Sequence, residues 1–288
     1  MWIRQAVPLR RRAVETEQAR WLEHKVAELA VPRHAVAESL ANRRAADAIA
    51  LEFESYGLRV IHQGRHRNIV ALPAEPGPIT LVCAHYDTVP RTPGADDNAS
   101  AVAVMLAAAR ARPAGVGFVA FNREEDGMLG STDFVNWLET ENPIEIGDVH
   151  VLEMVGYTDP RPGAQRAPPF LPKFLMPRDR GDFVAVVGVG AGWSLANKVH
   201  RTAKNTLGVP PVVTLQVPGA LLGWAPDLGR SDHRPFIQRA RPAVMWTDTA
   251  EFRTPHYHRI TDAADTLDYA FMAEVLELLL ATVGARHS

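Results

Sequence analysis

A histidine and an aspartate two positions apart, His85 and Asp87, follow an apolar run that is typical of a buried strand. Residues two apart on an extended segment point to the same side. A histidine that binds a metal through one ring nitrogen needs an acceptor at the other nitrogen, and a carboxylate supplies one. The pair therefore suits a metal site, although a His–Asp pair that merely caps a strand end is an open alternative.

Two adjacent glutamates, Glu124 and Glu125, follow the next apolar run at Val116–Phe121. Burying neighbouring carboxylates is costly unless a cation offsets their charge. Because the two side chains diverge, one glutamate can bind a metal while the other serves as the general base of a hydrolytic reaction. A pair of solvated loop acids is the alternative.

Three further sites carry acidic or imidazole side chains. Asp96 and Asp97 precede an apolar helix, where they could cap the helix or provide one carboxylate that bridges two metals. Glu153 ends a third apolar strand, and His258 lies near the carboxyl end. The whole set supplies two imidazoles and three carboxylates as ligands, with one glutamate to spare. That number suffices for two zinc ions, each with an open position.

The elements that must position these residues alternate along the chain between strands and helices. This order predicts an α/β fold: a single domain with a mostly parallel central sheet and helices on both faces. In such sheets ligands bind beyond the carboxyl ends of the strands, where the candidate residues collect. The predicted strands are 58–62, 68–72, 79–84, 116–121, 149–154, 183–189, 212–216 and 243–246. The predicted helices are 16–30, 42–56, 98–111, 131–140, 194–207 and 267–283, and 160–182 is predicted to be a long surface loop.

The composition narrows the class of protein. With 288 residues and 47% hydrophobic content, the chain can form one large core. We expect residues 1–288 to form a single zinc peptidase domain, with 1–40 as a helical amino-terminal extension packed on it.

The net charge of −2 argues against nucleic acid and anionic membranes as partners. No run is long enough for a membrane span, and no signal peptide is visible, so we expect a cytoplasmic protein, or a secreted one if a leader had been removed. The oligomeric state is left open.

The ordered segments resemble the co-catalytic double-zinc aminopeptidase family of metallopeptidase clan MH, with its bacterial aminopeptidases. Single segments are weakly specific, but their order along the chain is strongly so. The matching segments are AHYDTVP (84–90), PGADDNASA (93–101), FNREEDGMLGS (121–131), LEMVGY (152–157), GRSDHRPF (229–236) and PHYHRITDAADTLDY (255–269).

The resemblance implies a role for each matched residue. It implies two zinc ions per chain, Asp97 as the bridging ligand, Glu124 as the general base and Asp87 as the group that orients His85. The implied ligands are His85, Asp97 and Glu153 for one ion, and Asp97, Glu125 and His258 for the other. Tyr257 would donate a hydrogen bond to the oxyanion. Gly229 and Arg230 would contact the substrate.

The chain departs from the family pattern at three positions. Glu153 stands where Asp is usual, Ala101 where Gly is frequent, and Arg259 where Thr is frequent. His256 and His233 lie beside matched residues, but the pattern places the ligand at the histidine directly after the tyrosine. We therefore expect structural hydrogen bonds at His233 rather than metal binding.

The sequence thus predicts a zinc-dependent exopeptidase, an aminopeptidase that acts on peptide or aminoacyl substrates. Two alternatives stay open: hydrolysis of a non-peptide amide or an acylated amino acid at the same zinc pair, and a non-catalytic binding protein stabilised by metal. Single-zinc glutaminyl cyclases share the fold but lack the first histidine, which is present here as His85.

Overall fold

Nine strands form one sheet in the computed structural model, which describes residues 1–7, 16–75, 77–141, 144–169 and 171–284. The strand order across the sheet is β1-β8-β7-β9-β6-β4-β5-β3-β2. In chain order the strands are β1 (Trp2–Ala6), β2 (Arg59–Gln63), β3 (Asn68–Leu72), β4 (Ile79–His85), β5 (Val116–Phe121), β6 (Ile146–Glu153), β7 (Val184–Val189), β8 (Val212–Val217) and β9 (Ala243–Thr247).

The middle of the sheet is parallel. Strands β5, β4, β6 and β9 lie side by side and run in the same direction, so their carboxyl ends meet at one edge. Antiparallel pairs join β3 to β5, β2 to β3, β7 to β9 and β1 to β8, which makes the sheet as a whole mixed. The parallel strands are apolar on both faces because helices cover both.

Helices pack on both faces of the sheet, as the alternating sequence pattern predicts. One face is covered by α1, α2, α3, α5 and α7, which share a large apolar core with the strands. On the other face, α4 and α6 cover β3, β4, β5 and β6, where Phe134 and Phe236 pack against Phe121 of β5. The helices are α1 (Glu17–Leu29), α2 (Ser39–Ser55), α3 (Ala101–Arg110), α4 (Leu129–Glu141), α5 (Trp193–Asn205), α6 (His233–Gln238) and α7 (Tyr269–Val283).

The amino-terminal region differs from the predicted helical extension. Helix α1 lies where predicted and is capped by the Thr16 side chain, which accepts a hydrogen bond from the Ala19 amide. Residues Trp2–Ala6 instead form strand β1, which pairs antiparallel with the edge strand β8. A strand of five residues with two polar positions takes its stability from that pairing, which no local pattern reveals. The predicted extension also includes residues 8–15, which lie outside the described residues.

The segment before α3 is irregular, whereas the sequence predicts a helix from residue 98. Helical turns begin at Ala95, but the backbone leaves helical geometry at Asp97 (φ −103°, ψ 83°) and Asn98 (φ −137°, ψ 33°). Regular helix resumes at Ala101. Irregular turns of this kind are frequent at functional sites. Helix α6 was also not predicted, since six residues are too few for a periodic pattern.

A buried arginine ties the amino-terminal helix to the loop after β4. Arg33 is 1% exposed, and its guanidinium donates to the carbonyl oxygens of Tyr86 (2.6 Å) and Gly94 (3.0 Å). Two further bonds reach the carbonyl oxygens of Leu29 and Pro93, at 2.8 and 2.7 Å. Although burial lowers the pKa of Arg33 to about 10, the side chain stays cationic at neutral pH.

Among the described residues, no helix combines the length and apolar character that a bilayer span requires.

We expect replacement of Arg33 by alanine to destabilise the fold strongly. The change leaves several buried carbonyl oxygens without donors, so the unfolding free energy should fall by about 3 kcal/mol and Tm by about 6–12 °C. Differential scanning calorimetry measures this directly. The control is Arg43→Ala on the exposed face of α2, which should leave Tm within about 2 °C of wild type. Equal Tm values for the two variants would contradict the assigned role of Arg33.

Candidate metal centre

The carboxyl ends of three parallel strands bring the candidate ligands together. His85 is the last residue of β4, Glu153 is the last residue of β6, and Glu124 and Glu125 follow β5 by three and four residues. Asp97 lies in the irregular turn before α3. Side chains more than 60 residues apart in sequence therefore meet at one edge of the sheet.

One group of donors consists of His85, Asp97 and Glu153. Nε2 of His85 lies 3.3 Å from Oδ1 of Asp97 and 3.5 Å from Oε1 of Glu153. Ligand atoms of the three side chains lie within 4.8 Å of one another, which is close enough for them to hold a metal ion.

A second group of donors consists of Asp97, Glu125 and His258. Nε2 of His258 lies 3.2 Å from Oδ2 of Asp97 and 3.4 Å from Oε2 of Glu125. This group also meets the distance requirement for a metal site. Asp97 thus presents one carboxylate oxygen to each group, which is the geometry that a bridging carboxylate needs.

The unpartnered polar atoms of the two groups fit divalent cations. Both ring nitrogens of His85 and Oε1 of Glu125 are buried without a hydrogen-bond partner in the described part of the chain. Buried polar atoms without partners are rare in folded proteins, and a metal ion satisfies such atoms directly. Imidazole nitrogens combined with carboxylate oxygens are donors that suit zinc.

Asp87 lies behind the first donor group. Its Oδ1 is 3.4 Å from Nδ1 of His85 and accepts a hydrogen bond from the Glu124 amide at 3.1 Å. Its Oδ2 accepts from the Glu125 amide at 3.2 Å. The side chain is fully buried. One carboxylate therefore faces the imidazole and also fixes the loop that carries both glutamates.

Burial and mutual proximity shift the pKa values of the acidic side chains. Desolvation raises the pKa of Glu124 well above its ordinary value, and desolvation together with the Asp97 carboxylate raises that of Glu125 to about 7. Burial also opposes ionisation of Asp97, but its contacts with His258 and His85 hold its pKa below the ordinary value. The centre therefore attracts positive charge.

Tyr257 covers the second donor group. Its ring stacks on that of His258 with 3.8 Å between centroids and 22° between planes. Its hydroxyl oxygen accepts a hydrogen bond of 3.0 Å from Arg230, which also pairs with Glu251. Of the two residues expected to contact substrate, Arg230 is thus exposed beside Tyr257, and Gly229 is buried next to it.

His256, His233 and Asp248 belong to neither donor group. His256 bonds to the Thr261 hydroxyl through Nδ1 at 3.0 Å. His233 is buried, with Nε2 2.8 Å from the Leu228 carbonyl oxygen, a structural hydrogen bond as predicted. Asp248, which follows β9, accepts hydrogen bonds from the amides of Tyr157 and Ala250.

Residues 68–283 match the model of a protein family described as peptidase family M28. The chain belongs to this family. As an M28 member it is a hydrolase of peptide bonds, and the prediction of a clan MH peptidase is confirmed.

Relatives of this M28 chain include a curated protein and several solved structures. Uncharacterized protein YfbL of Escherichia coli (strain K12) is 36% identical over 258 residues, or 81% of this chain and 77% of the relative. The LapA aminopeptidase of Legionella pneumophila has a TM-score of 0.69 at 19% identity, covering 92% of this chain and 70% of that one. BSAP, a zinc aminopeptidase from Bacillus subtilis, has a TM-score of 0.55 at 24% identity, covering 75% and 48%. These likenesses show that the fold is shared.

Three residues without an assigned role in the sequence analysis support the donor groups of this M28 peptidase. Asn98 donates to the Leu152 carbonyl oxygen (3.1 Å) and accepts from the Met154 amide (2.9 Å), so it holds the backbone on both sides of Glu153.

The other two supports act on individual donors. The Ser231 hydroxyl donates to Oε2 of Glu153 at 2.7 Å, and Asp262 accepts from the Asp97 amide at 3.1 Å. Asn98, Ser231 and Asp262 all lie inside the matched motifs, but only the tertiary structure shows what they contact.

We expect the M28 peptidase to lose stability with rising pH when metal is removed. The pKa of Glu125 is about 7 in the folded state against an ordinary value of 4.5, so its contribution to stability is complete below about pH 4.5 and lost as the pH rises to 7. Burial works against charging His258, but its contacts with Asp97 and Glu125 raise its pKa from 6.5 to about 10. Its contribution is therefore complete below about pH 6.5 and lost toward pH 10.

Thermal scans between about pH 5 and pH 9 in EDTA test this prediction. Tm should fall by several degrees across the range, and added zinc should raise Tm most at the alkaline end, because the cation replaces the lost protons. A Tm that rises with pH in EDTA would contradict the electrostatics described above.

Proposed function

We propose that this M28 peptidase is an aminopeptidase that uses two zinc ions to hydrolyse the amino-terminal peptide bond. The observation that carries the proposal is the pair of donor groups that share Asp97, each with one histidine and two carboxylates. Because Asp97 belongs to both groups, the two groups lie side by side, as the donors of a two-zinc site would. The names of the two similar structures, an aminopeptidase and a zinc aminopeptidase, support the same activity.

In this proposal His85, Asp97 and Glu153 hold one ion, and Asp97, Glu125 and His258 hold the other. When bound, zinc supplies Lewis acidity toward the scissile carbonyl and lowers the pKa of water. Asp87 orients His85, since its carboxylate faces Nδ1 and leaves Nε2 directed at Asp97 and Glu153.

Glu124 is the general base. Its backbone is fixed by Asp87 and its side chain belongs to neither donor group, so its carboxylate remains available for protons. Desolvation raises the pKa of Glu124, which makes it a stronger base than an ordinary carboxylate. It takes a proton from the attacking water and later delivers it to the departing amine.

Tyr257 is the donor for the developing oxyanion. Because Arg230 donates to the hydroxyl oxygen of Tyr257, the hydroxyl proton is left to point at the substrate. The stacking of Tyr257 on His258 fixes the ring beside the second donor group. Arg230 therefore acts through Tyr257.

Replacement of Glu124 by glutamine should abolish most of the activity without removing metal. Loss of the base should lower kcat by about 10²–10⁴-fold on alanyl and leucyl anilides, while elemental analysis should still find close to two zinc ions per chain. The matched control is Glu139→Gln on the surface of α4, which should keep full activity. Wild-type kcat in the Glu124 variant would refute the assignment of the base.

Replacement of Tyr257 by phenylalanine should lower kcat with little change in KM. The hydroxyl acts on charge that develops in the transition state, so a fall of about 10²-fold in kcat is expected. The control is Tyr269→Phe at the start of α7, which removes a hydroxyl that donates to the Ala264 carbonyl oxygen. A rise in KM alone would show that Tyr257 binds substrate and does not stabilise the oxyanion.

A further inference from the structure

An apolar cavity opens directly from the metal centre and runs along one face of the sheet. Its volume, counted as the space open to the centre of a water molecule, is about 140 Å³. Glu153, Arg230 and Tyr257 line the end nearest the centre. Ile3, Val213 and Leu215 line the end at the edge of the sheet. We call this space the sheet-face channel.

The strand register shows how far the sheet-face channel extends. Paired positions on neighbouring strands form two rows of side chains that cross the sheet from β6 toward β1. The first row is Glu153, Thr247, Ala185 and Val213, on β6, β9, β7 and β8. The second row is Met245, Val187, Leu215 and Ile3, on β9, β7, β8 and β1. The first row therefore leads from a donor of the metal centre, through Thr247, to the apolar side chains of Ala185 and Val213.

The sheet-face channel is longer than the side chain of any genetically encoded amino acid. Three strand spacings separate Glu153 from Val213, or about 14 Å, and a fourth reaches β1 at about 19 Å. A core side chain spans only about half of the ~10 Å gap between packed layers. An amino-terminal leucine or phenylalanine would therefore fill only the part nearest the metal centre.

Residual exposure marks this face of the sheet as open. Ala185 and Val213 each keep 7% of their surface exposed. Their chain neighbours Val184 and Val212, whose side chains point to the opposite face, keep 0%. The higher exposure of Ala185 and Val213 shows that the channel face is less tightly covered than the opposite face, on which α5 packs.

The roof of the sheet-face channel comes from the long loop between β6 and β7 and from the segment after β9. Its apolar side chains are Pro168, Leu171, Met176, Pro177 and Phe252. Polar side chains also line the channel: Glu153, Arg230 and Glu251 toward the metal centre, and Gln165 on the loop before β7. The end at the edge of the sheet is lined by the apolar side chains of Ile3, Val213 and Leu215.

We propose that the sheet-face channel binds an unbranched apolar chain, longer than any coded side chain, on the acyl side of the scissile bond. This inference rests on the proposed function, because it places the scissile carbonyl at the metal centre. Each CH₂ group removed from water should then strengthen transition-state binding by about fourfold.

A second cavity, on the other side of Tyr257, supports the acyl-side assignment. It is lined by Arg161, Arg166 and Arg259 among other polar groups, and it shares Glu251 and Tyr257 with the sheet-face channel. An apolar chain would desolvate these cations without replacing their hydrogen bonds. The arginines of this cavity suit a leaving group that carries a carboxylate. The acyl part of the substrate would then occupy the sheet-face channel.

A homologous series of anilides tests the inference with the zinc-loaded protein. The acyl parts are L-alanyl, L-norleucyl, L-2-aminooctanoyl and L-2-aminodecanoyl. We expect kcat/KM to rise by about fourfold per CH₂ through the octanoyl compound. A maximum at norleucyl followed by a fall would overturn the inference while leaving the aminopeptidase proposal intact.

A variant that fills the floor of the sheet-face channel adds a structural test. Ala185→Leu should lower the ratio of decanoyl to alanyl kcat/KM by more than tenfold, because the added side chain blocks the first row. The matched control is Ala48→Leu on an exposed position of α2, where the ratio should stay at the wild-type value. A wild-type ratio in Ala185→Leu would count against the channel as the binding site.

Binding of free L-2-aminodecanoic acid, measured by titration calorimetry, separates the two proposals because it needs no turnover. We expect binding at least tenfold tighter than that of L-norleucine, with a negative heat-capacity change from apolar burial. Tight binding without hydrolysis of any anilide would refute the aminopeptidase proposal alone. Equal affinities for the two amino acids would refute the inference even if every anilide is cleaved.

Discussion

The cost of burying several carboxylates at one edge of the sheet governs the organisation of this protein. Asp97 and Glu125 have side chains 4% and 7% exposed, and Glu153 adds a third negative charge within reach of His85. Their mutual repulsion in a desolvated space can be offset only by protons or cations. Fixed supports hold the groups in place against that repulsion: Asp87 behind His85, Asn98 on both sides of Glu153, and Asp262 beneath Asp97.

The parallel strands connect this electrostatic centre to the apolar part of the protein. Glu153 is both the end of β6 and the first position of a row that crosses β9, β7 and β8. A carboxylate that faces His85 therefore borders the apolar sheet-face channel. The same strand register that gathers the donors places an apolar surface next to them, so the donor groups and the proposed binding site for an apolar chain belong to one sheet.

Much of the fold and of the centre follows from sequence patterns. The apolar runs that end at His85, Phe121 and Glu153 predict neighbouring parallel strands, and the acidic and imidazole residues after them predict a metal centre. Strand β1 and helix α6 were not predicted, because short elements of mixed polarity depend on their tertiary partners for stability. The supports Asn98 and Ser231 escaped for a related reason, since a polar side chain in a loop gives no local sign of what it will contact.

The sequence by itself determined which residues can bind a cation. It also determined that these residues follow strands whose carboxyl ends share one edge of the sheet. Both conclusions were possible because residue chemistry and strand periodicity are local properties. Only the tertiary structure decided that Asp97 presents one oxygen to each histidine, since this depends on a backbone that leaves helical geometry at that residue. The same holds for the sheet-face channel. Its floor joins β1 to β9 across more than 200 residues of sequence, and only strand pairing brings such positions side by side.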